Sequence, residues 1–249
     1  MANLLLRGVG TFKSLYYWVI ALGYFGPVLI LLILRSFIQK PEDFDPWLRK
    51  RVQTLFSLLG SKPLIEFFED LPTDRPLIFM ANHSSLIDIP LLKAIIPRYF
   101  IGIVAHDQMD YFLYGVAVRR IGSIPIHRDN IRSSLKSFSE AKELLKQGKH
   151  ITVLPEGGRS LDGKLLPFKK LPFHFAKDSG ASIVPISISG VFSMKNKGSL
   201  HLNPGQLIVR FGEILNSEDI LKMDEVELMD ITRKRIHNGL EPREADSPL

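Results

Sequence analysis

Pro76-Leu77-Ile78-Phe79-Met80-Ala81 is a short apolar run that stops at Asn82-His83, and it reads as a β-strand covered on both faces. Runs of the same kind recur downstream at Tyr99–Ala105, Ser123–Ile126, Ile151–Leu154, Ser182–Ser189 and Gln206–Phe211. Helical patterns alternate with them. After the cap residues Asp129-Asn130, the positions Leu135, Phe138, Ala141, Leu144 and Leu145 recur at three- and four-residue steps until Gly148, and a second such segment covers Asp224–His237. The alternation predicts an α/β domain with a mostly parallel central sheet flanked by helices.

Upstream, Pro46–Leu59 reads as an amphipathic linker helix, and Leu15–Leu34 carries no charge over about the length that spans a bilayer core. Lys13 and Arg35 bracket that stretch, and Tyr16, Tyr17 and Trp18 suit a membrane interface. Gly23, Gly26 and Pro27 leave two forms open, a straight span or a bent pair of half-helices in one leaflet. No small-x-small cleavage site follows, which favours a retained membrane anchor over a cleaved signal. Arg35, Lys40, Arg49, Lys50 and Arg51 outnumber Arg7 and Lys13, so the main domain is expected on the cytoplasmic side of an inner or cytoplasmic membrane. The expected organisation is a membrane-associated helical segment over residues 1–60, an α/β domain over 61–240 and a flexible tail over 241–249.

The 249 residues include no cysteine, so a disulfide framework, a thiolate metal site and a cysteine nucleophile are excluded. A formal charge of +6 favours an anionic partner: nucleic acid, an acidic membrane surface or a phosphorylated small molecule. Nucleic acid is set aside because the cations interleave with apolar strands and no recognition module is present. His150, His174, His201 and His237 lack zinc-site spacing, and no metal is expected. Phe168, Phe173 and Phe175 read as core, and Lys164, Lys169, Lys170 and Lys177 as a basic face able to attract anionic lipid or coenzyme A phosphates.

The polar residues of interest share one address. His83, His127-Arg128 and Glu156-Gly157-Gly158-Arg159 each follow a strand-like run, and in open α/β sheets ligands bind beyond the carboxyl ends of strands. His83 and Asp88 are five residues apart, about 140° around a regular helix. They meet only if His83 sits on the turn before a helix and Asp88 about one turn in. Asp88 would then fix the tautomer, leaving the other ring nitrogen as a base. No Gly-x-Ser-x-Gly elbow accompanies the pair. In Leu154-Pro155-Glu156-Gly157-Gly158-Arg159-Ser160, two glycines allow close backbone approach, and the arginine fork matches phosphate.

Four blocks in order, Asn82-His83-(x4)-Asp88, Gly122-x-Ile124-x-Ile126-x-Arg128, Pro155-Glu156-Gly157-x-Arg159-Ser160 and Val184-Pro185, resemble those of the glycerophospholipid acyltransferases, the 1-acyl-glycerol-3-phosphate acyltransferase family. The resemblance implies that His83 and Asp88 are the catalytic dyad, that Arg128, Glu156, Gly157 and Arg159 serve the acceptor, and that Val184 and Pro185 line the acyl side. It implies acyl transfer from an acyl thioester, either acyl-CoA or acyl carrier protein, to a hydroxyl of lysophosphatidic acid, with no cofactor. Phosphatidic acid would be the product. Another lysolipid or glycerol 3-phosphate as acceptor, or lipid hydrolysis, are the alternatives. Three departures bear on the acceptor: Gly158 stands where the family has threonine, His106 where lysine is common, and Leu171 where glycine is usual.

Overall fold

The computed structural model describes residues 2–245. In chain order its elements are helices α1 (Ala2–Arg35) and α2 (Pro41–Leu58), strands β1 (Leu64–Phe67) and β2 (Leu77–Ala81), helix α3 (Asp88–Ile95), strand β3 (Phe100–Ala105), helix α4 (Tyr114–Arg120) and strand β4 (Ile124–Ile126). Then come helix α5 (Ile131–Lys146), strand β5 (His150–Val153), helix α6 (Leu171–Ser179), strand β6 (Ser182–Ser189), helix α7 (Val191–Met194) and strand β7 (Ile208–Phe211). Helices α8 (Ser217–Lys222), α9 (Glu225–Asn238) and α10 (Pro242–Ala245) end the described chain.

All five residues of β2 are fully buried, so the strand needs cover on both faces. It lies at the centre of a seven-stranded sheet of order β1-β7-β6-β2-β5-β3-β4. Strand periodicity sorts its side chains: Leu77, Phe79 and Ala81 join one core layer, Ile78 and Met80 the other. The first layer packs under α1, α2, α3 and α4; the second is closed by Phe138 of α5, Phe173 of α6, and Leu228 and Ile236 of α9. Phe168, Phe173 and Phe175 are all buried in that second layer, as expected of core residues.

The sheet is mostly parallel, with one reversal: β7 pairs antiparallel to β6, and β1 follows β7 in parallel. Sequence reading located the β7 region but missed both its direction and β1 altogether. All four residues of β1 are exposed, because an edge strand with one uncovered face carries no buried apolar run.

The apolar N-terminal segment is one continuous helix. Pro27 lies inside α1, where its missing N–H removes a single helical bond, and Val28, Leu29 and Leu32 pack into the first core layer immediately after it. Thr11–Arg35 is long and apolar enough to cross a membrane, with mean hydropathy 2.2, yet the helix lies along the domain's flank. The Trp18 indole N–H donates to the Leu200 carbonyl at 2.7 Å, and the Ser14 hydroxyl accepts from Leu202 N–H at 2.8 Å. Its outward side leaves Phe12, Leu15, Tyr16, Val19 and Leu22 exposed. Helix α2, which begins at Pro41 rather than Pro46, ties this segment to α3 through a buried ion pair. There Lys93 Nζ lies 2.7 Å from Asp45, and Arg49 approaches the same carboxylate at 2.5 Å.

At the other end, Glu241–Ala245 is held rather than loose, since the Glu244 carboxylate accepts from Gly190 N–H at 3.1 Å and the Ser189 hydroxyl accepts from Glu241 N–H at 3.0 Å. The remainder of the expected tail, residues 246–249, lies outside the described residues.

Candidate active site

His83 stands on the loop that leaves the carboxyl end of β2, and Asp88 opens α3. The carboxylate therefore begins the helix, where sequence reading put it about one turn in; at that end an acid meets the positive pole of the helix dipole. His83 Nδ1 lies 2.7 Å from Asp88 Oδ2, and the same oxygen accepts the backbone N–H groups of Ser84 at 2.8 Å and Ser85 at 2.9 Å. One carboxylate thus folds the loop and orients the ring. With Nδ1–H donating to an anion, the lone pair sits on Nε2. His83 lines a cavity of about 330 Å³ while only 3% exposed, so its basic nitrogen serves that cavity and little else.

The third block clamps the same residue from the other side. Glu156 Oε1 accepts from the His83 backbone N–H at 2.6 Å, its Oε2 accepts from Leu166 N–H at 2.8 Å, and Ser160 N–H donates to the His83 carbonyl at 3.0 Å. The family resemblance gives Glu156 to the acceptor, but both its oxygens are occupied here by backbone donors. Asn82 completes the frame by accepting from Ile188 N–H at 2.7 Å and donating to its carbonyl at 2.9 Å, which pins the end of β2 to β6. Ser85 Oγ donates to the Lys195 carbonyl at 2.6 Å. These fixing bonds run mostly to backbone, and only the position of Asn82 beside His83 hinted at them.

Burial pushes the Glu156 carboxyl up to about 8, with the Asp88 charge adding to the rise and the two N–H donors opposing it. A raised folded-state value means that this group supports the fold most fully below its ordinary value of 4.5, and the support fades as pH rises through about 8. Glu156→Ala should flatten that part of the stability–pH curve. It should also lower stability by about 2–6 kcal/mol at pH 5, because two buried N–H groups are stranded at about 1–3 kcal/mol each. Urea titrations of both proteins across pH 5–9 check this; an unchanged midpoint would remove Glu156 from the frame.

Cations ring the site. Arg128, Lys169 and Lys170 line the cavity with His83, and Gly157 approaches it with φ +68°, in the left-handed region. A side chain at Gly157 would also press on Lys169, 3.2 Å from the Cβ position. The Gly157 N–H is spent on the Leu154 carbonyl, so it holds the turn and is not free for an oxyanion. Gly158 has open space where a side chain would grow, so the absent threonine is not excluded by crowding. Arg159 lies outside the cavity wall but within electrostatic reach of both Arg128 and Lys195, helping to lower the pKa of each, with burial the larger cause. Lys169 and Lys170, expected as part of a basic face, and Lys195, which the sequence did not single out, complete a cationic line. His106 and His127, at the ends of neighbouring parallel strands, stack at 4.0 Å.

Val184 and Pro185 lie mid-strand in β6, fully enclosed and paired with Phe79 and Met80. They border none of the described cavities. A second cavity, about 250 Å³ and almost wholly apolar, is lined by Trp18 and Phe25 of α1, Phe56 of α2, and Leu86 and Ile87 of the loop between His83 and Asp88.

Residues 63–189, half of the 249-residue chain, match the family described as Acyltransferase. A 1-acyl-sn-glycerol-3-phosphate acyltransferase of Cocos nucifera is 32% identical over 66% of this chain and 53% of its own length. Another, of Chlamydomonas reinhardtii, is 31% identical over 69% of this chain and 50% of its own. The chain thus spans about half the length of these curated relatives. Across nearly the whole fold, it superposes on the crystal structure of the 1-acyl-sn-glycerophosphate (LPA) acyltransferase PlsC from Thermotoga maritima. That similarity has a TM-score of 0.78 and 27% identity, covering 94% of this chain and 95% of the other. With the His83–Asp88 dyad and its clamp standing inside the matched segment, the chain belongs to the acyltransferase family.

Proposed function

We propose that the protein moves a fatty acyl group from an acyl thioester to the free hydroxyl of lysophosphatidic acid, forming phosphatidic acid at a membrane surface. The observation that carries this reading is that one loop touches two different cavities: His83 lines the one that Arg128, Lys169 and Lys170 also border, and Leu86 and Ile87 line an apolar one beneath α1. A lysophospholipid has that same division, with phosphate at one end and an alkyl chain at the other.

In this reading Nε2 of His83 takes the proton from the acceptor hydroxyl as its oxygen attacks the thioester carbonyl, and Asp88 stabilises the imidazolium that forms. The new C–O bond replaces the C–S bond, and the leaving thiolate takes the proton back from the imidazolium. No protein nucleophile is used. Arg128 and Arg159 hold the phosphate, for which a planar guanidinium offers two parallel hydrogen bonds. The exposed face of α1 binds lipid, which brings the acceptor to the anchor side of the domain.

Comparing lysophosphatidic acid with the matching monoacylglycerol, which lacks the phosphate, tests the clamp. Arg128→Ala and Arg159→Ala should each lower kcat/KM for the phosphorylated acceptor by roughly 10- to 150-fold, the equivalent of a lost charge-assisted hydrogen bond. The neutral acceptor should be affected far less. Equal losses on both acceptors, with a lowered melting temperature, would make the arginines structural. Absence of any ester product with acyl thioester and lysophosphatidic acid would overturn the reading itself.

A further inference from the structure

We infer that the first two turns of α5, at the mouth of the cationic cavity, form the docking surface for an acidic carrier protein. That partner would deliver the acyl group as a thioester on a flexible prosthetic arm. This inference rests on the acyl-transfer reading and identifies its donor.

The first observation is charge. Helix N-termini usually carry acids, which complement the positive end of the dipole. The first turn of α5 carries none: Arg132 stands there, with Lys136 one turn on, four residues away on the same face. Both are exposed, and among the described residues neither enters an ion pair. Two like charges added to a positive helix end disfavour the isolated fold, and an anionic partner relieves the repulsion. Exposed Lys169 and Lys170 extend the positive surface across the cavity mouth, while Asp129 and Glu140 bound it at either end of the helix face.

The second observation is apolar surface within that charge. Ile131 is 77% exposed and Leu135 47% exposed, again four residues apart and beside the two cations. A cationic rim around exposed aliphatic side chains is the complement of an acidic helix with an apolar stripe. A nucleotide carrier uses the charges but has no use for two aliphatic side chains spaced along a helix.

The third observation excludes the lipid surface as the occupant. Helix α5 packs on the second core layer, across the sheet from α1 and its lipid-facing side. A surface there meets the aqueous phase. Ile131 also lines the cavity that His83 occupies, so an arm entering beside it reaches the catalytic base directly. The lysolipid comes from the anchor side, and the soluble donor comes from the opposite face.

The test uses the full chain in detergent micelles, with lysophosphatidic acid as acceptor and the same acyl group on acyl carrier protein or on coenzyme A. For Arg132→Glu with Lys136→Glu, and separately for Leu135→Ser, KM for the carrier thioester should rise roughly 5- to 30-fold while its kcat holds within about twofold. KM for acyl-CoA in these variants should stay within about twofold, and added salt should raise the wild-type KM for the carrier thioester more steeply than these variants' KM for it. Equal losses on both donors, or none on the carrier thioester, would overturn the docking surface. Wild-type turnover with acyl-CoA only would also overturn it and leave the acyl-transfer reading standing; no ester from either donor would sink that reading too.

Discussion

His83→Ala should lower kcat by about 10²–10⁴-fold with the fold intact, the usual contribution of a positioned acid–base group. Retention of the fold follows from what holds the loop. Alanine loses the bond from Nδ1 to Asp88 but keeps the two that fix the backbone here, from the residue's N–H to Glu156 and from Ser160 N–H to its carbonyl. Asp88 keeps its two bonds to the N–H groups of Ser84 and Ser85. Circular dichroism and a melting curve should match wild type while ester formation from acyl thioester collapses. Near-normal turnover in this variant would remove the general base, and with it the mechanism.

Asp88→Asn should cost a similar factor, about 10²–10⁴ in kcat, for a different reason. Asparagine retains an oxygen able to accept from Ser84 and Ser85, so the loop persists. What disappears is the negative charge facing Nδ1, which stabilises the imidazolium as the hydroxyl proton arrives. Asp88→Ala goes further, because it strands two buried N–H groups at about 1–3 kcal/mol each, and it should lower the melting temperature as well as activity. The pair of variants separates electrostatic from architectural work by the same carboxylate. Were Asp88→Asn to unfold and Asp88→Ala to remain stable and active, the loop would have to be held by other bonds.

The central architecture was legible because each inner strand is covered on both faces and reads as a short, mostly apolar run. Leu77–Ala81, Phe100–Ala105 and Ser182–Ser189 fall within one residue of their expected ends. Helix α5 announced its cap and its stop, and Asn130 indeed accepts from Ser133 N–H at 3.0 Å; of its expected stripe Phe138, Ala141 and Leu145 are buried, but Leu135 is 47% exposed. Helix α6 escaped notice: its nine residues begin with Leu-Pro and pack Phe173, Phe175 and Ala176 without a repeated stripe. In a short helix there are too few turns for periodicity to accumulate.

The site divides along the same line. His83, Arg128 and the Glu156–Arg159 stretch could be singled out because they follow strand-like runs and ligands bind beyond strand ends in an α/β sheet, while Asp88 and the expected roles came from the block resemblance. The work assigned to Glu156 could not be, since its partners are backbone N–H groups of residues 83 and 166, which carry no side-chain signature. Nor was it visible that Val184 and Pro185 lie enclosed in β6, or that Lys195 joins Lys169 and Lys170 of the expected basic face near the site. By itself, the sequence determined the inner strands, the residue types of the candidate site and the apolar N-terminal stretch, all properties of local composition and period. Only the tertiary structure decided the reversed direction of β7, the unbroken course of α1 along the domain and the bonding of Glu156 to the backbone of His83. Each of these depends on contacts between residues far apart in the chain, where burial and hydrogen bonding, not local pattern, set the balance.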